Sequence, residues 1–468
     1  MGELQKSLEE YAGSDYYPYH MPGHKRRLFG KTLAPIAAWD ITEIDGFDNL
    51  HDAKGILWEV QSQAAEVYGA EESFFLINGS TSGILSALSA ALPKGGKLLM
   101  VRGCHKAAYH AAYLRGLEIQ YLFTGIHPKF GCILAATAAQ VRRALAENQD
   151  IQAVLIVSPT YEGLLAETAE IAEAVHKRGI PLIVDEAHGA HLGFHAGWQQ
   201  NASRQGADLV VQSLHKTLPS MTQTAILHVN GSLIDRRKLR RFLEIYQSSS
   251  PSYIFMAAME EAVEIASGGE FLFRDFQKNW KEMMEKLGGC KALHFLREKN
   301  MDVGKLVIAD RTGSLTGKQL YDKLRNQYHL QLEMAAGRYA LAMFTIGDTK
   351  EGYERLTEAL LEIDRDCCPC GDGQYAERRN CEEWICPVQR YPLYEAWDRE
   401  TGSVLLAEAA GRTAGSFIVP YPPDIPLVVP GEILTKEICH YLQECIENGL
   451  TVQGIEEQNY QLYVEIIK

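Results

Sequence analysis

No apolar run in this 468-residue chain reaches the ~18 residues that a membrane-spanning helix needs. Met1 to Tyr16 is charged and has no apolar core, so it does not read as a secretory leader. A surplus of basic residues is also missing. Sixty Asp and Glu against 46 Lys and Arg give a formal net charge of −14. That balance argues against nucleic acid or an anionic membrane as partner. Internal repeats and long low-complexity linkers are absent. Ten cysteines in a large chain without a leader do not suggest a disulfide framework, and the expected compartment is the cytoplasm. One cysteine group is dense: Cys367, Cys368, Cys370, Cys381 and Cys386. Cys367 and Cys370 have zinc-knuckle spacing, but the second pair is one residue wider than usual. Reduced thiols in a local insertion, with no metal, are the expectation.

What is present is alternation. Short apolar runs at Phe74–Ile77, Leu98–Val101, Leu117–Phe123, Ala153–Val157, Leu182–Asp185, Leu209–Gln212 and Ala225–Val229 read as seven strands, mostly separated by helical stretches. Such a pattern predicts a mainly parallel sheet covered on both faces. Ile56 to Tyr68 and the stretch after Gly83 read as helices, and Thr168 as the cap of another. Leu233 to Tyr246 is basic and helical, and Met256 to about Glu298 reads as long helices. From about Met301 a second α+β portion begins, with strands near Lys305–Ala309 and Tyr339–Thr345. The segment to about Gly30 is rich in Tyr, Pro, His and Gly and reads as an extended arm rather than a helix.

Polar residues gather where strands end. Ser213-Leu214-His215-Lys216-Thr217 follows an apolar strand, and a desolvated lysine there becomes a nucleophilic amine able to form an imine with a carbonyl. Asp185 ends another apolar strand 31 residues earlier, room for one crossover to a neighbouring parallel strand. An amine for the imine and an acid for the ring nitrogen are what pyridoxal phosphate requires. Asn78-Gly79-Ser80-Thr81-Ser82-Gly83 joins a strand to a helix, and free N–H groups with three hydroxyls suit a phosphate. Ser248-Ser249-Ser250-Pro251 is either a flexible turn or a further phosphate cluster. Asp45 to His51 is a loop dense in acids, His and Phe that suggests a site or a subunit contact. Glu408 to Gly415 leads into Pro420-Tyr421-Pro422-Pro423-Asp424, a rigid extended loop suited to a pocket wall or a structural strap.

These motifs together resemble the fold-type-I, pyridoxal-phosphate-dependent ornithine/lysine/arginine decarboxylases. The match runs in family order from His20-Met21-Pro22-Gly23-His24 through Asn-Gly-Ser-Thr-Ser, Cys104-His105-Lys106, Asp185-Glu186-Ala187-His188, Ser-Leu-His-Lys and Ser-Ser-Pro to Pro-Tyr-Pro-Pro, about residues 18 to 430. The chain looks like the short form, without an N-terminal wing domain. The resemblance implies an α/β, aspartate-aminotransferase-like fold with a smaller C-terminal α+β domain. It divides the chain into an arm (1–45), a coenzyme-binding domain (46–298) and a small domain (299–468). It implies that Lys216 carries the coenzyme, Asp185 pairs with its ring nitrogen, and His105 and Ala187 cover the two ring faces. Ser80, Thr81 and Ser213 would bind the phosphate, with Ser82 nearby and His215 reaching the phosphate or the reacting centre. Ser249 or Ser250 would cross to a neighbouring subunit, which implies a homodimer with shared sites. The expected reaction is α-decarboxylation of a basic amino acid, arginine first, then lysine or ornithine. Glu408 and Asp424 are candidates for the distal cation. Asp424 also departs from the family, which usually has Gly there. Arg412 could hold an α-carboxylate if the chain were instead an aminotransferase or β-lyase; a non-catalytic coenzyme-binding homologue is the remaining alternative.

Overall fold

The computed structural model describes residues 2–15, 21–22, 25, 36–367, 385–421 and 424–468. It contains two compact units, Met1–Pro93 with Ala153–Ser158 and Glu167–Arg274, and Lys94–Gln152 with Pro159–Ala166 and Asp275–Lys468. No helix among the described residues is long and apolar enough to cross a membrane.

All seven expected strands form. They are β1 (Glu72–Leu76), β2 (Lys97–Val101), β3 (Glu118–Leu122), β4 (Ala153–Val157), β5 (Leu182–Asp185), β6 (Leu209–Ser213) and β7 (Ala225–Val229), in one sheet of order β1-β7-β6-β5-β4-β2-β3. β4, β5 and β6 run parallel to one another, as do β2 and β3. The Val, Ile and Leu runs of β2, β4, β5 and β6 are largely buried, as strands covered on both faces require, whereas β3, last in the sheet order, is only partly so. β7 is antiparallel to both its neighbours. The stretch between Ser213 and Ala225 holds one short helical turn and is too brief for the crossover a parallel partner needs.

In the first unit the chain opens with a helix, α1 (Glu3–Gly13), where an extended arm is expected. The Gly and Pro residues that suggest extension all lie outside Glu3–Tyr11, and Leu4 and Leu8 form a buried stripe. The helix start is tied down by the buried Glu260 carboxylate, which accepts the N–H groups of Leu4 at 3.2 Å and Gln5 at 3.3 Å. α2 (Ile56–Tyr68) has the expected bounds, with Gly55 at the cap position and the carboxylate of Asp48 against its first turn. That carboxylate accepts the amides of Asn49, Lys54, Gly55 and Leu57. Burial alone would raise its pKa, but these bonds hold it below the usual range. α3 (Gly79–Ala91) follows β1. Its Gly83 sits so close to the sheet that a Cβ would lie 2.6 Å from Leu76 Cδ1 and 2.7 Å from Val211 Cγ1.

The second unit carries α4 (Lys106–Arg115) directly after β2, and α5 (Ala138–Glu147). In the first unit α6 (Thr168–His176) takes Thr168 as its first helical residue, with Glu167 at the cap position. The turn α7 (Leu214–Thr217) precedes β7, and α8 (Arg236–Tyr246) and α9 (Tyr253–Gly268) follow it. α10 (Glu270–Leu287) stops short of Glu298, because Gly288-Gly289 ends it and a strand, β8 (Leu293–Phe295), follows. With β9 (Lys305–Asp310), β10 (Met334–Ala335) and β11 (Tyr339–Met343) it forms a four-stranded sheet of order β10-β11-β9-β8. A three-stranded antiparallel sheet, β12-β16-β15, closes the chain: β12 is Thr401–Leu405, β15 Ile455–Gln458 and β16 Gln461–Ile467. It packs on a core that includes Leu406, Ile418, Leu442 and Ile466. Between them runs a ribbon of β13 (Val419–Tyr421) and β14 (Thr451–Gln453).

The fit of α3 on β1 and β6 has a direct test. Gly83→Ala should destabilise the protein by about 1–3 kcal/mol through overpacking, despite alanine's better helix propensity. A urea midpoint at or above wild type would show that the contact relaxes freely.

Candidate active site

In the first unit the expected residues cluster at the carboxyl ends of β5 and β6, which are neighbours. Asp185 is the last residue of β5 and is buried; one of its carboxylate oxygens accepts the Ala187 amide at 3.2 Å. Ser213 ends β6 and is fully buried, yet its hydroxyl has no hydrogen-bond partner among the described residues. The turn α7 then presents His215 and Lys216, both half-buried. The Lys216 amine lies 3.2 Å from Nε2 of His188, itself buried. The Thr224 carbonyl lies 2.8 Å from Nδ1 of His215, so that nitrogen donates and Nε2 keeps the lone pair in the neutral ring. Burial, with Lys216 next to it, lowers the His215 pKa and favours that neutral form.

The start of α3 has no side-chain cap, since Asn78 instead accepts the Ser248 amide at 3.0 Å. Gly79 makes the turn in the left-handed region, at φ +72°. Ser82 is buried, and its hydroxyl bonds back to the Gly79 carbonyl. Ser80 is half-buried and Thr81 exposed at the first turn, where helix N–H groups have no intrahelical partner. Ser249 and Ser250 are exposed. The His51 ring, from the acid-rich loop, lies 2.8 Å from the Ser248 carbonyl. Asn78, His51 and Ser248 thus link three stretches that are far apart in sequence.

In the second unit a buried ion pair stands beyond the end of β2. One amino nitrogen of Arg102 donates to Glu432 at 2.9 Å and to the Leu427 carbonyl at 2.9 Å, and both charged side chains are 1% exposed. Three residues on, His105 caps α4: its Nδ1 accepts the Ala107 amide at 3.1 Å. Asp424 meets this corner, with one carboxylate oxygen 2.9 Å from Lys106 Nζ and 3.3 Å from His105 Nε2. Burial would raise its pKa, but hydrogen bonds from His105 and Lys106 hold it below the usual carboxylate range. Glu408 ends a short helical turn and Arg412 lies just beyond it, both exposed. His20, His24, Pro422, Pro423, Cys368, Cys370 and Cys381 lie outside the described residues.

Two side chains escaped the sequence reading. His188 stands in the same Asp-Glu-Ala-His run as Asp185, and its proximity to Lys216 was the missing signal. Glu186 points the other way, into a buried polar row: Gln212 Nε2 donates to Glu186 at 2.7 Å, His228 Nε2 lies 3.0 Å from the Gln212 carbonyl oxygen, and Ser73 Oγ 2.7 Å from His228 Nδ1. No cation is among these partners. Burial pushes the Glu186 carboxyl up to about 8 and drives the His228 imidazole down to about 3.

A family model described as Orn/Lys/Arg decarboxylase, major domain, matches residues 3–320, and one described as Orn/Lys/Arg decarboxylase, C-terminal domain, matches residues 387–465. The chain is 29% identical to the arginine decarboxylase of Bacillus subtilis, over 99% of this chain and 97% of the relative. It is 30% identical to the arginine decarboxylase of Bacillus anthracis, over 98% and 96%. Among solved structures it is similar in fold to the lysine decarboxylase of Francisella novicida, with a TM-score of 0.84 at 18% identity, covering 100% of this chain and 81% of the other.

The Glu186 row makes stability depend on pH. The folded protein keeps a proton here up to about pH 8, whereas an unfolded glutamate releases it near the ordinary 4.5. This contribution is full below the lower value and is lost as pH rises through the upper one. Urea unfolding from about pH 5 to 8 should therefore show wild type losing stability relative to Glu186→Gln. Parallel curves would mean that the carboxyl is ionised throughout.

Proposed function

Because the chain belongs to the Orn/Lys/Arg decarboxylase family, we propose that it decarboxylates a basic L-amino acid, arginine in first place and lysine or ornithine next, releasing CO2 and a polyamine or its precursor. The preference for arginine is supported by near-full-length relatives of about 30% identity that carry that name. The observation that carries the catalytic reading is the placement of the Lys216 amine against His188, at the end of a strand whose parallel neighbour ends in the buried Asp185. We place the enzyme in the cytoplasm as a homodimer. We assign residues 1–45 to an arm, 46–298 to coenzyme binding and 299–468 to the smaller domain.

The family's cofactor is pyridoxal phosphate, and the residues present fit it. A fully buried hydroxyl without a partner, Ser213 Oγ, and a helix start without a side-chain cap are what a phosphate would satisfy. Ser80, Thr81 and Ser213 would hold that phosphate, with Ser82 shaping the turn and Ser249 or Ser250 serving a second subunit. Lys216 would hold the coenzyme covalently, Asp185 would keep its ring nitrogen protonated, and His105 and Ala187 would bound its faces. When bound, the coenzyme supplies an electron-poor ring that takes up the electron pair left by departing CO2. The protein's share is orientation and proton management. Lys216 or His215 returns a proton to the substrate's α-carbon, and His188 fixes the Lys216 amine. His215, neutral and with Nδ1 committed to Thr224, can accept or give a proton only at Nε2. Glu408 is the carboxylate proposed for the distal cation.

CO2 release from arginine, lysine and ornithine tests the substrate reading, and arginine should be fastest. Lys216→Ala should abolish release together with the visible absorbance of lysine-bound coenzyme. Asp185→Asn should slow turnover on the order of 10²–10³-fold while coenzyme remains bound. Wild-type turnover by Lys216→Ala would remove that residue from the chemistry.

A further inference from the structure

We propose that Asp424 is a positioning residue for His105: with the Ala107 amide it locks the imidazole as the neutral tautomer protonated on Nε2 and fixes the plane of the ring. The inference deepens the reading above, since it rests on His105 being a wall for the coenzyme. The argument begins with the helix cap. Nδ1 of His105 accepts the Ala107 N–H at 3.1 Å, so it must keep its lone pair. A neutral imidazole carries one N–H, which is then on Nε2, and Nε2 lies 3.3 Å from the Asp424 carboxylate. Protonating Nδ1 would set two donors against each other. Rotating the ring would break both contacts at once. The ring is therefore held at both nitrogens, while its side chain stays 40% exposed.

Asp424 is itself an expensive choice of residue. It sits at φ +61°, the left-handed region where a side chain is tolerated in Asp but costs nothing in Gly. Strain of this kind persists where the surroundings over-determine it. Here they do: Lys106 Nζ holds the carboxylate at 2.9 Å, and the carboxylate is only 16% exposed. Among the described residues of this unit, the charged and titratable groups around His105 are Asp424, Lys106 and, farther along α4, His110, whose pKa is lowered by burial first and then by Lys106 and His105. One carboxylate thus neutralises Lys106 and takes the single proton that neutral His105 offers.

The test is ¹⁵N NMR of protein labelled at histidine nitrogens, with and without pyridoxal phosphate, His105 being assigned by its loss in His105→Gln. Wild type should show His105 protonated on Nε2. Asp424→Gly keeps the backbone conformation and removes only the carboxylate; it should give a mixture of tautomers and coenzyme binding about tenfold weaker. Asp424→Asn, whose amide oxygen can accept the same hydrogen bond, should restore the tautomer and most of the affinity. Lys106→Met should leave the tautomer as in wild type. Wild-type His105 signals in Asp424→Gly, or an Nδ1-protonated ring in wild type, would overturn the proposal. Coenzyme-free spectra judge the Asp424–His105 pair alone, whereas persistent turnover in Lys216→Ala would strike the functional reading instead.

Discussion

The second unit's contribution depends on one dry ion pair, Arg102 with Glu432. Two charges taken out of water repay their desolvation only when hydrogen bonds complete them. Glu432 also accepts the Val429 amide at 2.8 Å, Arg102 also donates to the Leu427 carbonyl, and the guanidinium lies over Tyr121 at 4.7 Å and Tyr109 at 5.7 Å. The Tyr109 hydroxyl donates to the Arg102 carbonyl. Even so, the Nε and second amino nitrogen of Arg102 have no hydrogen-bond partner among the described residues. The pair ties together two segments 330 residues apart in sequence. Arg102 stands three residues before His105 and Glu432 eight after Asp424. Clamping the first pair sets how far Asp424 can be from His105.

The first unit solves a different problem with strand ends. β5 and β6 are apolar along their length and polar only at their last residues, so Asp185 and Ser213 are buried by the sheet rather than by their own preference. Burial without partners is costly. Asp185 accepts an amide from Ala187, whereas the Ser213 hydroxyl has no hydrogen-bond partner among the described residues. Glu186, one residue past Asp185, shows the contrast. Its partners are neutral, so its carboxyl is pushed toward the protonated form.

Much of this was legible in the residues. The seven strands were readable because buried strands are continuous runs of Val, Ile and Leu, and the turn after β1 because Gly and hydroxyl residues suit few conformations. The ends of β5 and β6 carried Asp185 and Lys216 in plain view. What stayed hidden was contact between segments remote in sequence. α1 was misread because Gly and Pro farther along were allowed to outweigh Leu4 and Leu8, and because its anchor, Glu260, is more than 250 residues away. In the loop before α2 the Asp48 carboxylate gathers the Gly55 and Leu57 amides, while the Tyr253 hydroxyl bonds to the Asp48 carbonyl at 2.6 Å from about 200 residues away. The grip of Asp424 on His105 crosses more than 300 residues, and no local pattern announces it.

Electrostatics gives these details a common direction. A coenzyme ring that Asp185 would keep protonated, as proposed, would be electron-poor, and a cation pressed against its face would oppose that state at short range and low dielectric. On His105, the residue proposed for that face, Nδ1 accepts a backbone amide and Nε2 faces the Asp424 carboxylate. The same carboxylate is held by Lys106 at 2.9 Å. With the imidazole neutral, as proposed, Lys106, Asp424 and His105 sum to no net charge.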